Sequence, residues 1–467
     1  MATVYFTSNA DSGSGTLRDC VENASDGDVI MPDPNTFSSS GDITIELSSG
    51  LPLSSISGVN NISIFGSPAQ RIILDKQDNG YFLRVTTSGK TIQFKYVDFT
   101  RGRRTSSNES PVYVSSTNTT LVFENCKFYS NVGAYSGFLR GIASATGSSL
   151  TFKNCVAYDN SYTNSSYTAD FFTFQSGANA DISVLGCTLD CQTIPFLNPS
   201  SVTKTDSLLG GTSDWNIDFD TVGFVDRTNN DYRLLPTSSY LTGGSLTGTD
   251  ILGHTRNGSL GAYDGSWFVV PANGTATVSA DTTVDYAEIG SGATVNFTNA
   301  NLTVTKNADI DTSTFASSST AYLAVPSGTY FNLSTFTNVV HCTYGGEVTA
   351  VAGSVDLRTC TFSVTKTGTE TVDCIEYKTE EDTSWSKIVN LTDSSTTFST
   401  VTDKGFYLRA YDGVNFVTSS WIPRTYYYKG NATSGSFATS SDWAMDSQKT
   451  LTCNAAPSIK EGTFHCE

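Results

Sequence analysis

The stretch "LVFENCKFYSN" (121–131) is followed by "LTFKNCVAYDN" (150–160), with the aromatic, the asparagine and the cysteine in the same places. The pattern extends in both directions, with "ISIFGS" from Ile62, "IQFKYVDF" from Ile92 and "ISVLGCTL" from Ile182. The starts are separated by 92−62 = 30, 121−92 = 29, 150−121 = 29 and 182−150 = 32 residues. Each unit is an apolar-x-apolar strand, a turn and a second short strand, without helical periodicity. A near-constant step of this kind predicts a parallel β-solenoid, in which each coil gives one strand to each of several sheets and equivalent side chains stack.

On this reading Cys126, Cys155 and Cys187 share one column, and Phe94, Phe123 and Phe152 another. A cysteine column could serve metal or redox chemistry. Free Cys is among the most buried residue types, however, so an interior stack of small apolar side chains beside aromatic stacks is the plainer account. Asn125 and Asn154 fall at the turns, where a short amide ladder would satisfy backbone groups. The repeat marks scaffold.

Composition agrees with an almost entirely β chain. Of the 467 residues 15% are charged, and Val, Ile, Thr, Phe and Tyr runs are bounded by Gly, Asn, Asp or Ser. The formal net charge of -18 repels phosphate backbones and argues against nucleic-acid binding. No apolar run approaches the ~20 residues needed to span a bilayer. Ten cysteines without a CxxC or Cys/His zinc pattern, Cys187 and Cys191 being four apart with no second pair, point to an extracellular, partly disulfide-bonded protein. The sequence opens in strand-like "MATVYFTSNA" without a signal peptide, so export implies a removed leader or another route. Twelve Asn-x-Ser/Thr sites, Asn118 and Asn332 among them, are what chance gives in so Ser/Thr-rich a chain.

A shorter series follows: "DTSTFAS" at 311, "NLSTFTN" at 332 and "DLRTCTF" at 356, with steps of 332−311 = 21 and 356−332 = 24. It predicts a second β-solenoid over 266–366 with smaller coils, starting near "GATVNFTNANLTV", where Cys342 and Cys360 would stack or bridge. From about 370 alternating strands at 8–12-residue spacing suggest a β-sandwich over 367–422. The tail, 423–467, carries "TYYYKG", Cys453 and Cys466, a pair that could staple a segment with little core of its own.

Two segments resemble a known family. "SGSGTLRDCVENASDGDVIMPD" (12–33) with "ITIELSSGLPLSSISGVNNISIFG" (43–66) resembles the N-terminal cap of secreted bacterial right-handed parallel β-helix proteins, in which a capping helix precedes the first coil. "FVDRTNNDYRLLPTSSYLTGG" and "DILGHTRNGSLGAYDG" (224–265) resemble the closing segment of the same proteins, those of the choice-of-anchor type. "GFYLRAYDG" and the "WS" at 385–386 resemble fibronectin III or Ig-like modules, which would make Trp385 and Tyr407 core residues. These resemblances imply a right-handed parallel β-helix over 1–265, an Ig-like C-terminal β-sandwich, and an exported or surface-attached protein acting as a stalk or adhesive surface. No sorting signal or membrane anchor is visible, so attachment would go through assembly or other proteins.

Carbohydrate-active β-helix enzymes set the test for chemistry. Their glycosidase sites need clustered carboxylates, and lyase sites need carboxylates holding Ca²⁺ with an arginine base. This chain has no Asp-Asp pair, no Asn-Thr-Asp and no Gly-His-Gly; Gly253-His254 reads as a turn. Asp98 and Lys127 share a column and read as a surface ion pair. Arg101, Arg103 and Arg104 could meet an acidic glycan, though a solvated loop is the simpler reading. His254, His341 and His465 are too scattered to suggest a triad. The sequence thus predicts no catalytic, cofactor or metal residue. It predicts a structural protein whose partners are copies of itself or cell-surface components. A glycan-binding adhesin or phage-type spike and a polysaccharide lyase or hydrolase are the alternatives.

Overall fold

The computed structural model describes residues 2–326 except 38–40, 106–108, 142–144, 165–168, 176–179, 192–193, 198–200, 212–216 and 312; beyond 326 it describes little more than the backbones of strands. Contacts divide the chain into two units, Met1–Gly265 and Ser266–Glu467.

The first unit is a parallel β-helix. Its longest sheet has eight strands, Thr3–Phe6, Asp28–Pro32, Asn61–Phe65, Thr91–Lys95, Thr120–Glu124, Ser148–Lys153, Ala180–Leu185 and Ser201–Thr205, in that order. Every neighbouring pair is parallel. The register sets Ile62 beside Ile92, Ile92 beside Leu121, Leu121 beside Leu150 and Leu150 beside Ile182, which are the starts of the sequence repeat. One further coil follows, with Ile182 beside Val202. At 202−182 = 20 residues it is a third shorter than its predecessors, which hid it from a search at a step near 29.

A seven-stranded sheet from Ile43–Glu46 to Leu208–Leu209 and a five-stranded sheet from Leu83–Val85 to Ile194–Leu197 make the other main walls. Between these walls Phe94, Phe123 and Phe152 stack in file, with centroids 5.4 and 5.2 Å apart and planes within 10°. Phe99 and Phe128 form a second file edge-on to the first. Burial of such side chains is the main stabilising term of the coil.

The start of the β-helix is capped. Thr16 accepts from the Asp19 N–H and begins the short helix Leu17–Glu22, while the Asp19 carboxylate accepts from Gly15 N at 2.8 Å. Leu17, Cys20 and Val21, on one helical face, are buried in the same core as Phe6 and Ile30.

The second unit opens with parallel coils of its own. Trp267–Val270 pairs with Thr282–Ile289, which pairs with Leu302–Ile310; Thr275–Val278 pairs with Thr294–Phe297, and that with Thr314–Val325. The first rung therefore lies well ahead of "GATVNFTNANLTV". Thr314 sits beside Thr335, the step of 21 seen in the sequence. The third member of that series is different. Val348–Val351 and Val355–Asp356 pair antiparallel with Thr359–Lys366, so the run of parallel coils ends at Thr335–Thr343 and these strands do not form a solenoid coil. An apolar alternation reads the same in parallel and antiparallel strands, and the sequence did not separate them.

The antiparallel region carries two sheets. Thr359–Lys366 also pairs with Ser395–Val401, while Cys374–Lys378 lies between Ser386–Asn390 and Tyr407–Tyr411. Trp385 and Tyr407 are both half-buried. The tail forms a three-stranded sheet with Arg424–Tyr428 between Trp443–Ala444 and Gly462–His465. Cys453 and Cys466, and the side chains of Cys342, Cys360, His341 and His465, lie outside the described residues.

Candidate functional site

The columns singled out in the sequence come together at one corner of the coil. Tyr96, Asn125, Asn154, Gly186 and Asp206 follow the strands of the long sheet on successive coils, each in the left-handed region with φ between 50° and 58°. Their N–H groups pass to the next coil: Tyr96 to Glu124 O, Asn125 to Lys153 O, Asn154 to Leu185 O and Gly186 to Thr205 O. Asparagine and glycine are the residues that tolerate this conformation. Asn154 Nδ2 donates to Asn125 Oδ1 at 2.9 Å, the amide ladder expected, and both residues are fully buried.

The next column is Cys126, Cys155, Cys187 and Ser207, all buried. The three cysteines lie in the hydrophobic core with the phenylalanine files, the interior stack expected, and their thiols make polar contacts as well. The one Cys155 Sγ–H is shared between Phe123 O and Lys153 O, both at 3.3 Å, and that of Cys187 between Phe152 O and Leu185 O at 3.4 and 3.5 Å. Cys155 N donates to Cys187 Sγ, as Cys187 N does to Ser207 Oγ. The thiols are therefore small hydrogen-bonding groups that tie off the corner. Burial pushes the Cys155 thiol well above its usual range, which suppresses thiolate chemistry. Disulfide bonding also finds no support among the described residues, where Cys20, Cys126, Cys155, Cys187 and Cys191 are all free. Nor, among those residues, is any group of three or more His, Cys, Asp or Glu arranged to hold a metal ion.

The charged candidates are engaged as well. Asp98 is not a surface acid facing Lys127. It is buried and takes two hydrogen bonds from Arg71 of the preceding coil, while Lys127 offers only its backbone N–H, at 2.9 Å. Burial works against the Arg71 cation, but the charge of Asp98 prevails and holds its pKa above the ordinary value. Arg101 binds Asp75, and Arg104 binds Glu109 at 2.7 Å, so two of the three arginines of "RGRR" face protein carboxylates; Arg103 is exposed.

The closing segment locks onto this corner. Arg256, 8% exposed, donates to Asn154 Oδ1 through Nε and Nη2 at 3.1 and 2.7 Å, and through Nη2 to Gly261 O at 2.7 Å. Asp250, fully buried, accepts from the backbone N–H groups of Leu252, His254 and Asp264. Gly253, at φ 87°, sits in that turn, so Gly253-His254 is the turn expected.

The same segment builds a cleft that sequence reasoning missed. It has a volume of about 340 Å³ and is lined by Asp159, Asn160, Asp190, Asp220, Arg227 and Asn230, among others. Arg227 grips Asp190 with Nε and Nη2 at 2.8 and 2.9 Å and also binds Asp220. Tyr232 Oη donates to Asp190 at 2.8 Å, and Asn230 Nδ2 to Asp159 at 3.3 Å. The hydrogen bond to Asp190, ahead of other causes, raises the Arg227 pKa. A carboxylate that already accepts three hydrogen bonds is poorly placed to shuttle a proton. No repeat spacing brings 159, 190, 220 and 227 together, because the contact depends on where the closing segment docks. No family model matches the chain, and no curated protein or solved structure matches it either.

Proposed function

We propose that the chain is a non-enzymatic extracellular structural protein, a rigid stalk that assembles with copies of itself or with other surface components. The observation that carries this reading is the use made of the polar side chains in the first unit. The asparagine, cysteine and arginine columns tie coil to coil, and Arg256 ties the closing segment to them. Self-assembly is supported by the tail, whose sheet, among the described residues, leaves one side unpaired on both Trp443–Ala444 and Gly462–His465, edges able to template another strand. The extracellular setting rests on the resemblance of the capping and closing segments. Size-exclusion light scattering beside negative-stain microscopy tests the assembly: regular fibres or arrays support it, and a monodisperse monomer at high concentration overturns it.

A glycan-binding stalk is the second reading, favoured by the cleft at Asp190 and Arg227, whose carboxylates, guanidinium and amides are the groups that hydrogen-bond sugar hydroxyls. Glycan-array hits lost in Asp220→Ala support it, and an array without hits removes it.

A further inference from the structure

Each main sheet of the first unit begins with a strand that has no earlier coil beside it. In the eight-stranded sheet this is Thr3–Phe6, and the capping helix reaches it, with the Cys20 thiol donating to Tyr5 O. In the five-stranded sheet it is Leu83–Val85, flanked by the chain at 51–54: Leu51 N donates to Phe82 O at 2.8 Å and Ser54 Oγ to Arg84 O at 2.6 Å. In the seven-stranded sheet it is Ile43–Glu46, and here the outer side meets a cleft of about 430 Å³ lined by Asn9, Ala10, Asp11, Thr44 and Glu46.

The hydrogen-bonding pattern shows what that edge offers. Ile43 N donates to Arg71 O and Leu47 N to Asp75 O, each at 2.8 Å, so these residues face the next strand. Alternation turns the N–H and C=O groups of Thr44 and Glu46 the other way, into the cleft. Among the described residues only Thr44 O has a partner there, Asn9 Nδ2 at the long distance of 3.5 Å. Thr44 N, Glu46 N and Glu46 O are open.

Charge selects the occupant. Asp42 and Glu46 are exposed along the strand, and Asp11 stands behind it with its own cation, Arg18, at 2.6 Å. Two copies joined antiparallel through this edge would set Asp42 and Glu46 against their own kind, on chains of net charge -18 each. An extended strand bearing Lys or Arg at alternate positions meets the opposite field. Glu46 thus repels self-pairing and attracts a basic strand, which is specificity by both signs of the same charge.

We propose that the outer edge of Ile43–Glu46 is a docking site for a basic, extended segment of another protein, added as a further strand to the seven-stranded sheet. The probe is a dye-labelled eight-residue peptide of alternating Thr and Lys, titrated with the full chain and followed by fluorescence anisotropy, beside a Thr/Glu peptide of the same length. Thr44→Pro removes the open N–H where it faces out of the sheet, a position at which proline is tolerated, and leaves the charge unchanged. The expected result is saturable binding of the Thr/Lys peptide, weakened at least tenfold by Thr44→Pro, with preference passing to the Thr/Glu peptide in Glu46→Lys. No saturable binding, equal binding of the two peptides, or indifference to Thr44→Pro overturns the proposal. So does a wild-type dimer that Thr44→Pro converts to monomer, since the edge would then belong to a second copy. Should Thr44→Pro fail to fold, Glu46→Lys decides alone: an unchanged preference for Thr/Lys sinks the idea.

Discussion

The two solenoids solve the same turning problem at different widths. In the first, Leu121 sits beside Leu150, a coil of 150−121 = 29 residues; in the second, Trp267 sits beside Tyr286, a coil of 286−267 = 19. Both use an asparagine and a glycine on successive coils in left-handed backbone. Asn118 (φ 52°) with Gly147 (φ 72°) does this in the wide helix, and Asn273 (φ 58°) with Gly292 (φ 72°) in the narrow one. The N–H groups of the two asparagines even take corresponding partners, Thr146 O and Ser291 O. A Cβ at either glycine would collide with the asparagine side chain of the coil before.

What differs is the interior. The wide coil encloses files of phenylalanine and turns one corner inside the core, where Asn125, Asn154, Cys155 and Arg256 must satisfy main-chain groups away from water. The narrow coil is filled by Val284, Val295, Leu302, Val304, Leu323 and their neighbours, with Phe297 and Phe315. Perimeter therefore sets chemistry. A wide coil needs files of large side chains and buried polar ties, whereas a narrow one closes over mainly aliphatic residues with Phe297 and Phe315 among them.

The largest effect should come from the aromatic file. Phe123 lies between Phe94 and Phe152 and touches Phe99, Phe128 and Phe138 edge-on. Phe123→Ala is expected to lower stability by about 3–5 kcal/mol. In denaturant unfolding the loss should fall on the transition of the first unit, with that of the second unchanged. A single transition shifted as a whole would show that the two units unfold together.

The corner comes next. Asn154→Ala removes the acceptor of Arg256 Nε, inside the core, and puts a Cβ residue without a compensating side chain into left-handed backbone. Each unsatisfied buried polar group costs about 1–3 kcal/mol, and the left-handed conformation about 1–2 more. Asn154→Gly keeps the conformation, as Gly186 does in the same column, and should recover that second part. Equal losses in the two variants would mean that backbone conformation contributes nothing at this corner.

Cysteine substitutions should be gentler. Ser207 already fills the cysteine column with the same pattern, its one Oγ–H shared between Val184 O and Thr205 O at 3.1 and 3.0 Å. Cys155→Ser is therefore expected to stay close to wild type, and Cys155→Ala to lose about 0.5–1.5 kcal/mol with the thiol's hydrogen bond, since Lys153 O keeps its bond from Asn125 N. The reverse order would restore the apolar reading of the column. Reductant should leave the melting of the first unit unchanged, because its thiols are free.

That column also shows how far the sequence could be read. Its spacing revealed the register of the wide helix and the identity of the stacked residues, because identical side chains recur wherever the same corner recurs. It concealed the bonding role of the thiols, which depends on how close a carbonyl of the preceding coil comes. The narrow solenoid was legible only in part, since Val, Ala and Leu can exchange within an aliphatic core and leave little repeat. The Asp190–Arg227 cleft and the open edge at Thr44 were not legible at all. One arises from the docking of the closing segment and the other from the lack of a described strand on the outer side of Ile43–Glu46, and neither has a local signature.

The smallest effect is electrostatic, and it too separates the units. Among the described residues the carboxylates held below their usual range, Asp28 and Asp11 among them, lie in the first. The backbone N–H groups of Ser25 and Ala2 lower Asp28; at Asp11 burial pulls the other way, but hydrogen bonds from Ser48 and Arg18 prevail. A carboxyl whose folded pKa is depressed stabilises the fold above its unfolded value, near 4, and that contribution is lost as pH falls through the folded pKa. Asp250 behaves oppositely. Burial raises it, so its contribution is present below the unfolded value and is lost as pH rises through the folded pKa. Unfolding followed from pH 7 to pH 2 should therefore show the first-unit transition weakening below about pH 4, with a shallower fall in Asp28→Asn. Asp250→Asn should leave that acid limb in place and flatten the slope above it. If Asp28→Asn leaves the acid limb as steep as before, the bonds from these two N–H groups are not what the first coil loses in acid, and the weight passes to Asp11 and its arginine.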